Sequence, residues 1–460
     1  MVRRVLLCPD PSLNLSTSQY LYNICKFKEG IEAKLFIAPL LKKVTERSHC
    51  SIVLPEISNN ISDFGRYPKK STIKDTTQRE PNHTLNQAMR IHEEWQQYGR
   101  LPTLLRVNEI DMGGVLKVQL VSKLYETIKE IDRADRLLAK ESPDEVYIQG
   151  TSLRSKVFYH TSKHHQIEPK FVQPKIWRDI EQKVRNRLVS LSRKNPFKSV
   201  GVYKITNNLP KKYVVLASVP YINYLTAVLP VLDQLSNQNL CDIYVFGRDS
   251  DIAQKIDRAR KVDIANPDTK EYERTARELR SYYISELEHD SRFQDLFRYN
   301  GINMLEILHN EMKQLLGKDY ITLGSDAAYF QEVLQKTKPD ILIVGCEATT
   351  VNWSHVLLAK SKGIPILEVQ HGIFTHSTLI FPPISDKCAV GGEYYKETYL
   401  NGGAKTDQVI VTGWPKLDSL MDQPNKDISK TRKEILFATQ PIDLDLNLKV
   451  IETIGTCFDP

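Results

Sequence analysis

The side chains with the clearest chemical potential follow short apolar runs in the last third of the chain. Glu347 comes just after ILIVG, His371 and Gly372 follow ILEVQ, and Gly413 and Asp418 follow VIVT. An imidazole titrates near neutrality, so His371 suits a general base or a donor to phosphate, and the glycine after it lets backbone or ligand approach closely. The alternative is a histidine that only hydrogen-bonds a loop carbonyl.

The other candidates in this segment also have a structural alternative. Glu347 would either take a proton from an acceptor hydroxyl or orient His371, or else make an N-cap-like contact with the next helix. Gly413 and Asp418 would line a cleft, or they would only form the turn that leaves the strand.

A second group of candidates follows the run YVVLAS. The loop from Ser218 to Tyr224 begins there, and this is where a doubly wound sheet meets its ligand, so Ser218 and Tyr221 are predicted to bind substrate. The chain has no GxGxxG, Walker A, GxSxG or HExxH sequence. Its seven cysteines are scattered without CxxC spacing, so we expect neither a zinc site nor a disulfide framework, and without a dinucleotide fingerprint we predict no cofactor.

These side chains need elements that bring them to one edge. The runs ILIVG, ILEVQ, KCAVGG and VIVT each end in glycine or a polar residue and are followed by helical or loop stretches, which is typical of parallel strands in a doubly wound sheet. Ligands of such sheets bind beyond the carboxyl ends of the strands. The predicted fold class is α/β, with Rossmann-like doubly wound parallel sheets and a truncated last domain.

The domain organisation follows from length, because 460 residues exceed one ordinary core. We predict an α/β region of uncertain type over 1–200 and a Rossmann-like domain over 211–420. Residues 430–460 read as the start of a further domain, which about 30 residues cannot complete.

Two amphipathic helices and one internal echo stand out along the chain. The first helix is predicted from Leu116, Leu120, Leu124, Ile128 and Ile131, and the second from Met304, Leu305, Leu308, Met312, Leu315 and Leu316. A Pro-Asp pair precedes both EVYIQ and ILIV, at Pro143 and at Pro339. Duplicated α/β halves would produce this echo, and so would ordinary turn chemistry.

Composition restricts the cellular context. No apolar stretch approaches the roughly 20 residues of a membrane-spanning helix, and the amino terminus lacks a secretory apolar region, so we predict a cytoplasmic protein. The formal charge is +7, with a basic stretch over 170–212. This stretch would either contact anionic lipid headgroups as a peripheral membrane surface or form a solvated helix face and linker. It lacks interleaved aromatic residues, so nucleic acid is not an expected partner.

From Lys211 to about Pro441 the sequence resembles GT-B glycosyltransferases of surface polysaccharide synthesis. The resemblance is carried by PDILIVGCEATTVNWSHVLLAKSKGIPILEVQHGIF, by DKCAVGG through VIVTGWPKLDSL, and by KEILFATQP. It is similar in particular to CDP-glycerol glycerophosphotransferases and Kdo transferases. The histidine of a His-Gly pair at a strand end has base-like or phosphate-binding roles there, and His371 with Gly372 matches that place. Gly413, Pro415 and Asp418 match a Gly-x-Pro-x-x-Asp pattern.

The resemblance implies an activity and its partners. A sugar or alditol phosphate would pass from a nucleotide-sugar or CDP-alditol donor to a polysaccharide or lipid-linked acceptor of the cell envelope or capsule, without a metal. Residues 211–420 would be the acceptor-side domain, and the donor domain would be incomplete. A sugar-nucleotide 2-epimerase and a non-catalytic GT-B-derived binding module remain alternatives, so enzymatic activity itself is left open.

Overall fold

The computed structural model describes residues 3–8, 31–35, 83–148, 152–171, 200–206, 212–256, 259–373, 382–421 and 450–451. Residues Met1–Lys416 form one compact unit, and Leu417–Pro460 form a second. Most of the basic stretch over 170–212, and most of the predicted region over 430–460, lie outside the described residues, so both expectations stay predictions.

The helices and strands alternate along the chain. The strands are β1 (Arg3–Cys8), β2 (Ile31–Leu35), β3 (Arg106–Val107), β4 (Ile110–Asp111), β5 (Glu145–Ile148), β6 (Pro169–Phe171), β7 (Val200–Lys204), β8 (Tyr213–Val219), β9 (Cys241–Arg248), β10 (Arg260–Val262), β11 (Arg298–Tyr299), β12 (Ile302–Asn303), β13 (Ile341–Val344), β14 (Ile366–Val369), β15 (Lys387–Val390) and β16 (Val409–Val411). The helices are α1 (His83–Trp95), α2 (Leu101–Leu104), α3 (Met112–Val115), α4 (Lys117–Glu141), α5 (Leu153–His164), α6 (Ile222–Asn237), α7 (Asp249–Lys255), α8 (Lys270–Ser285), α9 (Ser291–Leu296), α10 (Met304–Ile307), α11 (His309–Gln314), α12 (Tyr320–Thr337), α13 (Thr350–Ser361), α14 (Glu393–Asn401) and α15 (Pro415–Met421). A 3-10 turn occupies Leu287–His289, and a π-helical turn occupies Leu315–Asp319.

An eight-stranded sheet dominates the first unit, in the order β10-β7-β9-β8-β13-β14-β15-β16. Six neighbouring strands of this sheet are parallel, namely β9, β8, β13, β14, β15 and β16. The other two, β7 and β10, form an antiparallel edge. The predicted α/β fold class with a parallel-rich sheet is thus confirmed.

Alternate residues of the central strands pack on opposite faces of this sheet. In β8, Leu216 joins a large core cluster that includes α13, whereas Val215 and Ala217 join a second cluster that includes α6 and α7. Burial on both faces explains why the strands read as continuous apolar runs, since neither face is left for solvent.

A four-stranded parallel sheet has the order β2-β1-β5-β6, the same topology as β9-β8-β13-β14 in the larger sheet. The strand registers also correspond. Ile148, the last residue of β5, pairs with Phe171 of β6, and Val344, the last residue of β13, pairs with Glu368 of β14.

The segments before β5 and β13 share a sequence as well as a shape. LLRVNEIDMGGVL (104–116) and LFRYNGINMLEIL (296–308) each fold into a hairpin, β3-β4 or β11-β12, followed by a short helix. Both hairpin loops have two consecutive residues at positive φ, Asn108 and Glu109 in one and Asn300 and Gly301 in the other. Two such residues are what a type I′ turn requires.

The helices that follow end in the same way. Ser142 and Lys338 are both left-handed C-cap residues, and each is followed by Pro-Asp and then a strand. Asp111 and Asn303 cap the short helices after the two hairpins. This agreement in topology, register, turns and caps favours duplication over chance. We call β1, β2 and residues 83–171 repeat 1, and residues 213–248 and 270–369 repeat 2.

The two repeats are joined by exchanged contacts. Trp353, the fourth residue of α13, donates from Nε1 to the carbonyl of Gly114 in α3 at 2.9 Å. Lys156, the fourth residue of α5, donates from Nζ to the carbonyl of Ile307 in α10 at 3.2 Å. Each hairpin and its short helix therefore pack on the βα unit of the other repeat, within one continuous core.

The first predicted amphipathic helix is confirmed as α4. The second is divided into α10, α11 and the π-helical turn. The chain bends between α10 and α11, where Leu308 has a φ of −93° and a ψ of 9°, and continues through the π-helical turn into α12. The six predicted apolar residues are nevertheless all buried, because the short pieces keep one face toward the core.

Candidate functional site

The strand order creates a crevice at the carboxyl edge of the eight-stranded sheet. The chain passes from β8 to β9 on one side and then enters β13 on the other side of β8. Connections that leave in opposite directions open a gap between β8 and β13, which is where such sheets bind ligands. The loop with Pro220 and Tyr221 borders this gap on one side, and the start of α13 borders it on the other.

A cavity of about 290 Å³ occupies this position. We call it the switch-point pocket. Its lining includes Gln119, Pro220, Tyr221, Arg248, Asp319 and Thr350. Tyr221 was predicted from the sequence, and the structure places it here. Repeat 1 contributes to the wall as well, because Gln119 belongs to α4.

Groups that attract anions lie on both sides of the pocket. Arg248 is the last residue of β9, and its guanidinium lies 5.1 Å from the centre of the Tyr221 ring. Thr349 caps α13 by accepting a hydrogen bond from Asn352 N, and Thr350 is the first helical residue. The amino terminus of a 12-residue helix and a guanidinium together favour an anionic group such as phosphate.

His371 follows the carboxyl end of β14 and does not line the pocket, but two ring contacts connect it to Tyr221, which does. The His371 ring centre is 4.3 Å from that of Tyr224, and Tyr224 is 5.3 Å from Tyr221. Its Nδ1 lies 2.9 Å from the carbonyl oxygen of Gly345, which only accepts, so Nδ1 carries the proton and the neutral ring has its lone pair on Nε2. The hydrogen bond to a loop carbonyl, which was the structural alternative for His371, is therefore present. It also orients the ring so that Nε2 is its basic nitrogen.

The pKa of His371 is lowered, chiefly by burial and also by the nearby charge of Lys416, while the hydrogen bond to Gly345 opposes the shift. Lys416 Nζ also donates to the backbone carbonyl of His371 at 3.0 Å. The imidazole is consequently neutral at pH 7, the state in which it can accept a proton.

Two further contacts fix the turn that carries His371. Gln370 donates from Nε2 to the carbonyl of Gly372 at 2.6 Å and accepts from Gly391 N at 2.8 Å, which ties β14 to β15. Gly345 cannot carry a side chain without a clash, because a Cβ there would lie 2.7 Å from Cβ of Tyr224. At Gly372, by contrast, an added Cβ would have no atom of the described residues within 4 Å.

Ser218, a predicted substrate residue, is sealed in the core. Its hydroxyl lies 2.7 Å from His355 Nδ1, and His355 Nε2 lies 3.1 Å from Asp326 Oδ2. The three residues have the chemistry of a Ser-His-Asp triad, yet their relative exposures are 0%, 0% and 3%. Ser218 also bonds Asn352 in the first turn of α13, so the network holds that helix against β8 and does not meet ligand.

Glu347 is also buried, and its carboxylate accepts from Ile384 N at 2.9 Å, from Ser385 N at 2.8 Å and from the Ser385 hydroxyl. These bonds match neither the predicted proton transfer nor an N-cap contact, since Thr349 is the cap of α13. The carboxylate instead fastens the segment before β15 to the end of β13.

Glu368 lies next to Glu347 and accepts from its backbone N–H at 3.2 Å. Burial, followed by the charge of Glu347, raises the pKa of Glu368 to about 8. The pKa of Glu347 is also raised by burial, although its three donors favour the charged form. At neutral pH we therefore assign the proton of this buried pair to Glu368.

The remaining predicted residues lie elsewhere. Gly413 has a φ of +82°, which makes it a turn residue, and the Trp414 ring after it stacks on Tyr395 at 5.8 Å. Asp418 is exposed and belongs to the second compact unit. Four residues near the site were not predicted to be functional: Arg248, Tyr224, Gln119 and Asp319. Of these, Arg248 was recognisable from the sequence, because it directly follows the strand run DIYVFG.

Two other features concern metal binding and membrane insertion. Within the described ranges no group of three or more His, Cys, Asp or Glu side chains is arranged to hold a metal ion. None of the helices in those ranges combines the length and apolar character needed to cross a membrane.

Comparison with known proteins does not identify a family. No family model and no curated protein sequence matches the chain. Among solved structures, the UDP-GlcNAc 2-epimerase from Neisseria meningitidis bound to UDP-GlcNAc matches with 20% identity and a TM-score of 0.25. The match covers 45% of this chain and 48% of that one, so it spans about half of the epimerase. At this TM-score the similarity carries no functional weight, and the fold class rests on the sheet order.

Proposed function

We propose that the protein binds a nucleotide-activated sugar or alditol phosphate at the switch-point pocket and transfers it to a hydroxyl of a surface polysaccharide or glycolipid acceptor. The observation that carries the proposal is the neutral His371 imidazole, which is oriented by Gly345 and connected through the rings of Tyr224 and Tyr221 to the pocket bordered by Arg248 and the amino terminus of α13. A base and an anion-stabilising surface side by side are what direct displacement requires.

In the proposed sugar transfer, His371 acts as the base, and the anion-binding groups of the pocket stabilise the leaving phosphate. His371 Nε2 takes the proton of the acceptor hydroxyl while the acceptor oxygen bonds to the anomeric carbon of the sugar. The bond from that carbon to the phosphate oxygen breaks, and the nucleoside diphosphate leaves with the electron pair. Arg248 and the α13 amino terminus stabilise the charge that develops on the leaving phosphate. Glu347 takes no part as a base, because its oxygens are held by Ile384 and Ser385.

The duplication changes the proposed division into donor and acceptor sides. The resemblance assigns 211–420 to the acceptor, yet Arg248, the start of α13 and His371 belong to or adjoin repeat 2. We therefore propose that repeat 2 holds the nucleotide and repeat 1 faces the acceptor. This assignment does not depend on residues 430–460.

Nucleotide binding is the first test. Titration of the purified chain with UDP-, CMP- and CDP-linked sugars is expected to give micromolar binding of one class, and Arg248→Ala is expected to weaken it about tenfold or more because a charge-assisted contact to phosphate is lost. Absence of binding by every class at millimolar concentration would end the proposal and favour a non-catalytic module. Conversion of a bound nucleotide-sugar to its 2-epimer would favour the epimerase.

Release of free nucleotide from the bound donor, with water as acceptor, tests the base. His371→Ala is expected to lower the rate about 10²–10⁴-fold, the usual contribution of a general base, while nucleotide affinity changes little. His160→Ala is the matched control, because His160 is also half-buried with a pKa lowered by burial but pairs with Glu306. Activity that survives His371→Ala within a few-fold would remove the base assignment.

A further inference from the structure

A second cavity, of about 200 Å³, continues the switch-point pocket between the repeats. The two cavities share Gln119, Asp319 and Thr350. We call the second one the inter-repeat cleft; its polar lining is Gln119, Ser122, Glu311, Gln314, Asp319 and Thr350, together with Lys123. Its walls are the first turns of α4 from repeat 1 and α11 with the π-helical turn from repeat 2.

The segment that contains the π-helical turn is longer than its counterpart in repeat 1. The six, five and 18 residues of α11, the turn and α12 exceed the 25-residue α4 by four residues, although both segments begin after matching hairpins and end at matching left-handed caps. Asp319 is the last residue of this turn, and it borders both cavities. An α-helix has better hydrogen-bond geometry than a π-helical turn, and single π turns within α-helices are frequent at functional sites.

The cleft contains polar groups that a hydroxylated ligand would satisfy. Among the described residues, the buried Oε1 atom of Gln119 has no hydrogen-bond donor. Among the same residues, the Asp319 carboxylate receives side-chain hydrogen bonds from Gln314 Nε2 alone, at 3.3 and 3.4 Å, and burial raises its pKa. A buried acceptor without a donor costs about 1–3 kcal/mol, and a ligand hydroxyl would remove that cost once the Gln119 amide turns toward the cavity.

The charges of the cleft select among hydroxylated ligands. Glu311 is paired with Lys156 at 3.1 Å, and Lys123 bonds Glu126 outside the cleft at 3.4 Å. The positive charges of Lys318 and Lys123 act on Asp319. The charged side chains that line the cleft are nevertheless two carboxylates, Glu311 and Asp319, and one lysine, Lys123, so a carboxylate on the ligand is disfavoured relative to a neutral or amino sugar.

We infer that the inter-repeat cleft receives the sugar ring of the ligand whose phosphates bind at Arg248 and α13, and that Asp319 and Gln119 select a neutral hexose or hexosamine by accepting its hydroxyl hydrogens. This inference rests on the proposed function for the placement of the phosphates. It adds the sugar class and the residues that determine it.

The test compares ligands that differ only in the sugar. Calorimetry would measure UDP, UDP-glucose and UDP-glucuronic acid, with the CDP or GDP series if that base is preferred. The wild type is expected to bind the glucose conjugate about tenfold more tightly than the free nucleotide and the glucuronate conjugate, a difference of the size that placed polar groups give. Asp319→Asn and Gln119→Leu are expected to reduce the gain from glucose, measured as the ratio of the affinities of the glucose conjugate and the free nucleotide, to within about twofold.

Two controls separate binding from folding. Asp295→Asn removes an exposed carboxylate of α9 and should change no affinity. Gln119→Leu removes an unsatisfied buried acceptor and is therefore expected to keep or raise the thermal midpoint while weakening sugar binding. Variants that alter the free nucleotide and its glucose conjugate equally, or that alter neither, would overturn the inference.

A nucleotide-free arm keeps the inference separate from the proposed function. Glucose and glucuronate alone would be titrated against the full chain by protein-observed NMR. If no nucleotide binds but glucose binds and Asp319→Asn abolishes its binding, the assignment of the cleft as a sugar site stands, and the proposed function fails together with the placement of the phosphates. If the wild type binds neither glucose nor a glucose-bearing nucleotide, the inference fails.

Discussion

The two repeats show how one α/β design can serve two purposes. Repeat 1 has the uninterrupted α4, Lys156 at its exchanged contact and Phe171 opposite the end of β5. Repeat 2 has the π-helical turn with Asp319, Trp353 at the equivalent contact and Glu368 opposite the end of β13. Turns, caps and strand order agree between them, so these features maintain the packing, whereas the polar groups that border the cavities come mostly from repeat 2.

The exchanged contacts are unequal, and this gives the largest expected effect. Trp353 is buried at 2% exposure, whereas the side chain of Lys156 is about a quarter exposed. Trp353→Ala is expected to lower the free energy of unfolding by about 3–5 kcal/mol, as for a buried large aromatic residue. Lys156→Ala is expected to cost about 1 kcal/mol or less. Denaturant unfolding would measure both, and equal losses would contradict the asymmetry.

Glu368 should give repeat 2 a pH dependence. The folded state keeps its proton up to about pH 8, whereas an ordinary glutamate loses it near 4.5. Between these values the folded state binds more protons, so wild-type stability is expected to fall as pH rises, by up to about 1.4 kcal/mol per pH unit.

Glu368→Gln tests this by removing the titration. The variant should flatten the stability profile between pH 5 and 8, measured as the denaturation midpoint at each pH. Glu397→Gln, at an exposed position of α14, is the control and should leave the slope in place. A slope that persists in Glu368→Gln would show that another group is responsible.

The packing that orients His371 depends on Gly345. Gly345→Ala would place a Cβ 2.7 Å from Tyr224 Cβ and is expected to cost about 1–3 kcal/mol, as overpacking does. Gly392→Ala meets no atom within 4 Å and should cost much less. Thermal unfolding of the two variants would compare them, and similar midpoints would mean that Tyr224 moves without penalty.

The hairpin loops give the smallest expected effect. Glu109 has a φ of +65°, whereas its equivalent Gly301 has a φ of +76° without the strain of a side chain. Glu109→Gly is expected to stabilise the protein by about 0.5–1 kcal/mol, because the strain of the left-handed conformation is relieved. Gly301→Ala should destabilise it, since a Cβ there would lie 2.5 Å from the His164 ring. Opposite signs in denaturant unfolding are the expected result.

Much of the strand pattern was readable from the sequence. The runs ILIV, ILEV, KCAV and VIV became neighbouring parallel strands, because strands buried on both faces read as nearly continuous apolar runs. Glu347 and His371 follow β13 and β14, which pair in parallel, so both residues come after the same edge of the sheet. Their roles were not readable, since burial decides whether Ser218 or Glu347 meets a ligand or holds a loop.

Only part of the evidence for duplication is readable from the sequence pattern. The repeated Pro-Asp pair precedes two predicted strands, whereas the stronger match between 104–116 and 296–308 lies in segments with no expected chemistry. Asp319 had no local signal, because its position depends on a four-residue difference between two helices that are far apart in sequence. Gln119 likewise reaches the pocket only through the packing of one repeat on the other.

The amino-acid sequence alone determined which segments form strands and helices, and that polar residues follow the parallel strands, because local apolar periodicity and turn chemistry encode both. Which of those residues meet a cavity was decided by the tertiary structure. Exposure depends on contacts between distant segments: the exchanged packing of the two repeats, the Gly345 carbonyl that orients His371, and the opposing position of α4 and the π-helical turn.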